Sequence, residues 1–372
     1  MSTVKIGMVG VGAISGIYLE NITKMFREIE LVAVCDLVKE RAEKAAEEYK
    51  IPKIYDTMHE LFADEEIDIV LNLTRPYEHF EVSKAALLAG KHVYSEKPLG
   101  ATLEEGEALV TLAQEKKLML GGAPDTFMGA GIQTCRKLIE DGYIGDTIGC
   151  ACFMLCHGHE MWHPDPEFYY QFGGGPMMDM GPYYITALVN LMGGIKSVSG
   201  FTRSNFEERT ITSALHFGET IKVEVPTHVM GMLNFDSGAT GTIITSFDVH
   251  YKGIGAQARF EIYGTKGTLI VPDPNTFGGE VKLLRPEDGE LMTMPLCFDY
   301  KENSRALGLA DMAKALQTGR DFRADYKQTL HVLEVLTSFD RSNAKGGIEE
   351  IQNKYPVHLP MKNNPMTGVL DD

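Results

Sequence analysis

Two hydrophobic rhythms alternate along the first third of the chain. Short runs that are apolar almost throughout, Val4–Val9, Leu31–Cys35, Ile67–Leu73, His92–Ser95 and Leu118–Leu120, read as strands, with a shorter Ile54-Tyr55 piece among them. Between them Ala13–Met25, Val38–Lys50, His79–Ala89 and Leu103–Lys116 place apolar residues at helical spacing. Strands apolar on both faces and separated by helices predict a parallel sheet covered on both sides. Right-handed crossovers make that sheet doubly wound.

The rhythm changes at Ala123-Pro124-Asp125. A helix is expected at about 131–141, then longer alternating segments at Thr147–His157, Lys196–Thr202, Ile221–Phe235, Ala239–Val249 and Arg259–Tyr263. Turns such as Asp236-Ser237-Gly238 and Gly264-Thr265-Lys266-Gly267 join some of them, so they read as antiparallel strands. Helices are expected at about 182–191 and 326–343. The expected organisation is an α/β protein with a Rossmann domain over 1–124 and an α/β domain with an open, mostly antiparallel sheet over 125–372. The late helix at about 326–343 is a candidate to pack back on the first domain.

The chain has 372 residues, with 35 Lys and Arg against 52 Asp and Glu, a net charge of −17. That balance argues against nucleic acid and anionic membrane surfaces as partners. No apolar run reaches membrane-spanning length, and the start of the chain leads straight into a strand rather than a leader. With nothing else suggesting export, the six cysteines read as reduced thiols in a cytoplasmic protein.

Chemistry first enters where the opening strand ends in Gly10-Val11-Gly12-Ala13-Ile14-Ser15. Gly10 allows a tight turn, Gly12 a close approach of backbone to pyrophosphate, and Ser15 a small strand–helix contact, with helix amides facing the phosphates. About twenty residues on, Asp36 ends the next strand, placed to accept from an adenosine ribose hydroxyl and to repel a 2′-phosphate. No Arg stands at 37 or 38, so NAD is favoured over NADP. Asp36 could instead only cap the following helix.

Further stretches carry a family resemblance: Thr74-Arg75-Pro76-Tyr77-Glu78-His79, Ala89-Gly90-Lys91-His92-Val93, Glu96-Lys97-Pro98 and Gly173-Gly174-Gly175-Pro176-Met177-Met178-Asp179-Met180-Gly181. With the glycine turn, they resemble the glucose–fructose oxidoreductase / inositol dehydrogenase (Gfo/Idh/MocA) family over nearly the whole chain. The resemblance implies NAD(P)-dependent chemistry on sugars, cyclitols or related hydroxyl compounds, and homodimers or homotetramers formed through the open sheet. It places Gly10, Gly12, Ala13, Ile14, Ser15, Asp36, Thr74, His79, Glu96 and Lys97 around the cofactor. Two departures stand out. Many members have His where Tyr183 stands here, and a Thr-Pro-Asn element where this chain has Thr74-Arg75-Pro76.

Oxidising a secondary alcohol removes a hydroxyl proton as hydride leaves carbon, and a cation near the oxygen stabilises the developing alkoxide. Lys97 suits that role, Tyr183 is the second acid–base candidate, and Asp179 orients it or holds a substrate hydroxyl. The expectation is that Lys97 and Tyr183 meet at one substrate oxygen. Each has a plainer alternative: a surface lysine, a helix-end anion for Asp179, a core aromatic for Tyr183 or Tyr184, and a surface histidine for His79.

His159-Glu160-Met161-Trp162-His163 spells the zinc-protease pattern, which requires a helix. Gly158 before it and Pro164 and Pro166 after it oppose one, so no metal is expected. Residues 157–168 are instead expected to form a loop over the substrate, with Trp162 offering a flat apolar face to a sugar ring and His157, His159 and His163 offering groups for hydroxyls. Asp125 and Phe127 are further candidates to line that cleft. The leading expectation is an NAD-dependent dehydrogenase acting on a ring hydroxyl of a sugar, glycoside or cyclitol. NAD-retaining glycoside cleavage by transient oxidation and elimination, and a non-catalytic cofactor-sensing protein, remain as alternatives.

Overall fold

A computed structural model describes residues 3–250, 259–362 and 367–370. The chain forms two compact units, Met1–Ala130 with Cys297–Leu330 and His358–Asp372, and Gly131–Leu296 with His331–Val357.

The first unit is built on strands β1 (Val4–Val9), β2 (Ile29–Cys35), β3 (Lys53–Tyr55), β4 (Ile69–Asn72), β5 (His92–Ser95) and β6 (Leu120–Gly122). They alternate with helices α1 (Ser15–Lys24), α2 (Lys39–Tyr49), α3 (Met58–Ala63), α4 (His79–Leu88) and α5 (Leu103–Lys116). The sheet order is β3-β2-β1-β4-β5-β6 with every pairing parallel, so the order reverses between β1 and β4. Ile69, Val70 and Leu71 are fully buried, as a strand covered on both faces requires. The short helix α3, which the hydrophobic pattern does not announce, is defined by a capping box between Thr57 and Glu60.

The second unit contains α6 (Ala130–Glu140, entered at the unit boundary), β7 (Thr147–Leu155), the single turn α7 (Pro176–Asp179), α8 (Gly181–Met192), β8 (Ile195–Arg203), β9 (Glu208–Thr210), β10 (Thr220–Lys222), β11 (His228–Phe235), β12 (Thr240–Ser246), β13 (Arg259–Gly264), β14 (Thr268–Ile270), β15 (Val281–Leu284) and β16 (Leu291–Met294). Helix α9 (Leu307–Thr318) belongs to the first unit; α10 (Tyr326–Lys345) enters the second at His331, followed there by β17 (Glu349–Glu350). Nine strands form one mixed sheet in the order β16-β15-β14-β13-β7-β12-β11-β8-β17. Among the described residues β7 and β12 run parallel and the other pairings in this sheet are antiparallel.

One face of this sheet is covered. Tyr184 of α8 stacks on Phe260 of β13 at 5.9 Å, and Phe339 of α10 fills the space that side chains at Gly200 and Gly231 would need. The other face presents Phe201 opposite Met230, and beside them Met232, all exposed.

The segment 221–235, expected as one strand, is two. Pro226 lacks an N–H for a ladder, and β10 pairs with β9 in a separate ribbon while β11 joins the main sheet. Helix α9 was not expected either. Leu307, Leu309, Ala310, Met312 and Ala313 are all buried, so it shows no polar stripe that a helical period would reveal.

Candidate active site

The turn after β1 is shaped for an anion. Gly10 has φ +97°, and a Cβ there would lie 2.7 Å from the Leu73 carbonyl oxygen, so only glycine fits. At Gly12 a Cβ would meet nothing within 4 Å, leaving room in front of the turn. Gly12 and Ala13 are exposed, whereas Ser15 points inward and its Oγ donates to the Gly12 carbonyl at 2.7 Å. Ile14 stands at the N-cap of α1 with no side-chain cap, and the first turn holds no acidic residue. A helix start without a capping anion offers its amides and positive dipole end to an incoming phosphate. At the end of β2, Asp36 accepts from the Val11 amide at 2.6 Å and the Val38 amide at 2.8 Å. A carboxylate has about four acceptor positions, so two remain for ribose hydroxyls. These residues fit a dinucleotide.

Thr74 and Lys97 follow β4 and β5, the neighbouring strands. The Asn72 side chain accepts from the Thr74 hydroxyl at 2.7 Å and donates to the His79 carbonyl at 3.1 Å. His79 is buried, not at the surface: Nδ1 lies 2.7 Å from the Pro98 carbonyl and Nε2 3.0 Å from the Thr74 carbonyl. Burial pushes its imidazole below the usual histidine range, and a neutral ring donates to only one of the two carbonyls. Glu96 is buried as well. It accepts from the Tyr18 hydroxyl at 2.7 Å and from the Lys97 amide at 2.9 Å, fastening the residue that precedes Lys97 to α1. The Lys97 side chain is half-buried.

Asp125 and Phe127 are 1% and 2% exposed, so neither presents a surface to solvent. Asp125 accepts from the Gly308 amide at 3.0 Å, in the first turn of α9. Burial pushes its carboxyl up to about 6.

In the second unit, Asp179 closes α7 and Tyr183 lies in the first turn of α8, where it is buried beside Tyr184. His159 Nε2 stands 3.2 Å from Asp179 Oδ2. Around the His159 ring are Tyr169 at 4.4 Å, Phe247 at 4.6 Å and Trp162 at 5.3 Å between centroids. Trp162 is 59% exposed. His163 packs on Trp162 and Tyr169 and accepts from the Asp165 amide through Nδ1 at 3.0 Å. His157 stacks on His250 at 3.5 Å, apart from the His159 ring system.

Residues 159–163 form a turn rather than a helix, with the Trp162 and His163 amides both donating to the His159 carbonyl. Glu160 points into the interior against Arg209. Among the described residues no group of three His, Cys, Asp or Glu side chains is arranged to hold a metal. Cys150 and Cys152 are buried in the sheet, and burial pushes the Cys150 thiol up to about 12. Sequence reasoning did not single out Tyr18, Tyr169, Tyr170, Arg209 or Phe247. Tyr18, Arg209 and Phe247 lie far along the chain from the residues they meet, and no local motif marks any of the five.

The chain matches two family models. The first is an oxidoreductase family with an NAD-binding Rossmann fold, over residues 4–122, and the second a GFO/IDH/MocA C-terminal domain, over residues 132–270. It is similar to a myo-inositol 2-dehydrogenase of Thermotoga maritima, 27% identical over 267 residues, spanning 72% of this chain and 74% of the relative. It is also similar to a levoglucosan dehydrogenase of Pseudarthrobacter phenanthrenivorans, 27% identical over 62% of each chain. A solved levoglucosan dehydrogenase in complex with NADH and L-sorbose has the same fold, with a TM-score of 0.80 at 21% identity over 95% of this chain and 100% of that one. The chain therefore belongs to the Gfo/Idh/MocA family of oxidoreductases. It is an NAD-dependent oxidoreductase whose first unit carries the family's Rossmann fold. Among the described residues no helix is long and apolar enough to cross a membrane.

Proposed function

We propose that the protein oxidises a secondary ring hydroxyl, or reduces the corresponding ketone, of a sugar, glycoside or cyclitol, with Lys97 and Tyr183 in proton transfer. The observation that carries this reading is one of placement. Gly10, Asp36, Thr74 and Lys97 follow the carboxyl ends of β1, β2, β4 and β5, which are contiguous in one parallel sheet and span the point where its order reverses. Ligands of open α/β sheets bind at that point. When bound, NAD supplies the hydride acceptor or donor. Lys97 stabilises charge on the substrate oxygen and exchanges its proton, and Tyr183 is the second acid–base group. Asp179 holds a substrate hydroxyl, and Trp162 offers its exposed face to a ring. The inositol and levoglucosan dehydrogenases similar to this chain support a polyhydroxylated ring as the substrate class.

The protein works in the cytoplasm on this reading, in keeping with the buried free thiols of Cys35, Cys135, Cys150 and Cys152. It associates as a homodimer or homotetramer through the sheet face that carries Phe201, Met230 and Met232.

A panel of hexoses, cyclitols and aryl glycosides with NAD, read at the nicotinamide absorbance, tests the function. Reduction of NAD by at least one cyclic polyol is the expected result. Glycoside hydrolysis without added NAD would point to elimination chemistry. NAD binding with no turnover of any compound would point to a sensor.

A further inference from the structure

The segment that carries His159 has an anchor that the chemistry above does not use. Glu160 and Arg209 have side chains 8% and 4% exposed. Arg209 donates from Nε to Glu160 Oε1 at 2.9 Å, and from Nη2 to the same oxygen and to the His157 carbonyl at 2.7 Å. Its Nη1 donates to the Phe247 carbonyl at 3.1 Å and to Asp248 Oδ1 at 3.2 Å. Tyr170 donates its hydroxyl to the other Glu160 oxygen, and the Glu160 carbonyl accepts from the Thr212 and Ser213 amides, both at 2.9 Å. Gly158 has φ +85°, and a Cβ there would run into Glu160 and Tyr170 and come within 3.0 Å of Arg209 Nη2.

One guanidinium thus grips the carbonyl two residues before His159, the side chain directly after it, and the backbone of Phe247, whose ring packs on the imidazole. Stability alone does not call for this arrangement, because well-packed apolar side chains often serve as well as a buried ion pair. What the cluster adds is direction: two N–H groups of the guanidinium hold Glu160 Oε1 and the Tyr170 hydroxyl holds Oε2, so together they fix the orientation of the carboxylate.

We propose that Arg209, acting through Glu160, is a positioning residue for the reaction. It sets His159 against Asp179, so that the carboxylate assigned to the substrate hydroxyl keeps one orientation. The proposal rests on the role given to Asp179 above.

The test is a double-mutant cycle on the full chain, using NAD and the cyclic polyol that the parent oxidises fastest. Arg209→Lys keeps the charge but not the fork, and is expected to lower kcat/KM on the order of 10- to 100-fold, the scale of a misplaced group near the reacting atoms. His159→Asn should do the same, and the double variant should fall no lower than His159→Asn alone. NAD affinity should stay at the parent value in all three. Losses that multiply independently, or an Arg209→Lys enzyme as active as the parent, overturn the proposal. If Arg209→Lys does not fold, Tyr170→Phe, which removes only the hydroxyl donor to Glu160, enters the same cycle under the same criteria.

A second readout needs no turnover. The His159 ring protons lie among the rings of Tyr169, Phe247 and Trp162, so their NMR shifts should move toward free-histidine values in Arg209→Lys or Tyr170→Phe. Unmoved shifts overturn the proposal even where activity falls. A parent that oxidises no polyol defeats the functional reading instead, and the NMR comparison then decides whether Arg209 positions His159.

Discussion

The Val11 amide donates to Asp36 Oδ2 across 2.6 Å, so the acid that ends the second strand is fastened to the glycine turn that follows the first. The Val38 amide holds the other oxygen at 2.8 Å, at the N-cap position of α2. The bond to Val38 closes a turn ahead of α2 and caps none of that helix's first-turn amides, so Asp36 is not a helix cap here. Asp36→Ser is expected to weaken NAD binding by about tenfold, or about 1.4 kcal/mol, and to narrow the gap between NAD and NADP. Fluorescence titration with both cofactors measures this. An unchanged preference for NAD would remove Asp36 from the selection.

Gly10 and Gly12 should fail in different ways. Gly10→Ala brings a Cβ to 2.7 Å from the Leu73 carbonyl at a positive φ, and should lower stability by about 1–3 kcal/mol. Gly12→Ala meets nothing within 4 Å, so its melting temperature should stay at the parent value while NAD affinity falls. Calorimetry with and without NAD separates the two effects.

Lys97→Ala should retain NAD binding and lose oxidation of every polyol the parent accepts. Tyr18→Phe is the subtler variant. It deprives Glu96 of the hydroxyl donor on α1, while the Lys97 amide remains on the other oxygen. A fall in kcat of several-fold with NAD affinity unchanged is expected, measured by steady-state kinetics with saturating cofactor. An unchanged kcat would show that the amide contact alone suffices.

Asp125 links stability to pH. Its folded carboxyl sits at about 6, raised by burial from the ordinary aspartate value of 3.8. A raised folded pKa favours the protonated form in the native state. Its contribution to stability is therefore full below about pH 4 and is lost as pH rises toward 6. Asp125→Asn keeps an oxygen for the Gly308 amide and removes the charge, so the variant's melting temperature should vary less than the parent's between pH 4 and pH 6. Parallel curves across that interval would contradict the assignment.

The exposed sheet face gives an oligomer prediction. Phe201 and Met230 face each other across adjacent strands, with Met232 next along β11. Phe201→Glu with Met232→Lys should shift the particle mass toward that of one chain by light scattering, without loss of NAD binding. An unchanged mass would place self-association elsewhere.

Much of the first unit was legible in the chain because its signals are local. Strand length, apolar runs and the Gly10-Val11-Gly12 turn act over a few residues, and burial on both faces makes each strand read alike. Less of the second unit could be read. Its strands include several of three or four residues, and α9 is buried on every side. Trp162 and Tyr183 were visible as candidates by residue type, but their surroundings were not.

By itself the sequence determined that the first sheet is parallel and covered on both faces, and it marked the anion-shaped turn and the acid that ends the second strand. Hydrophobic period, glycine conformation and helix polarity are written into neighbouring residues. Only the tertiary structure decided that Glu160 pairs with Arg209, that His79 is buried between two carbonyls, and that His159 meets Asp179. Those relationships join residues up to 49 positions apart, and they depend on which side chains the packed core leaves room to meet.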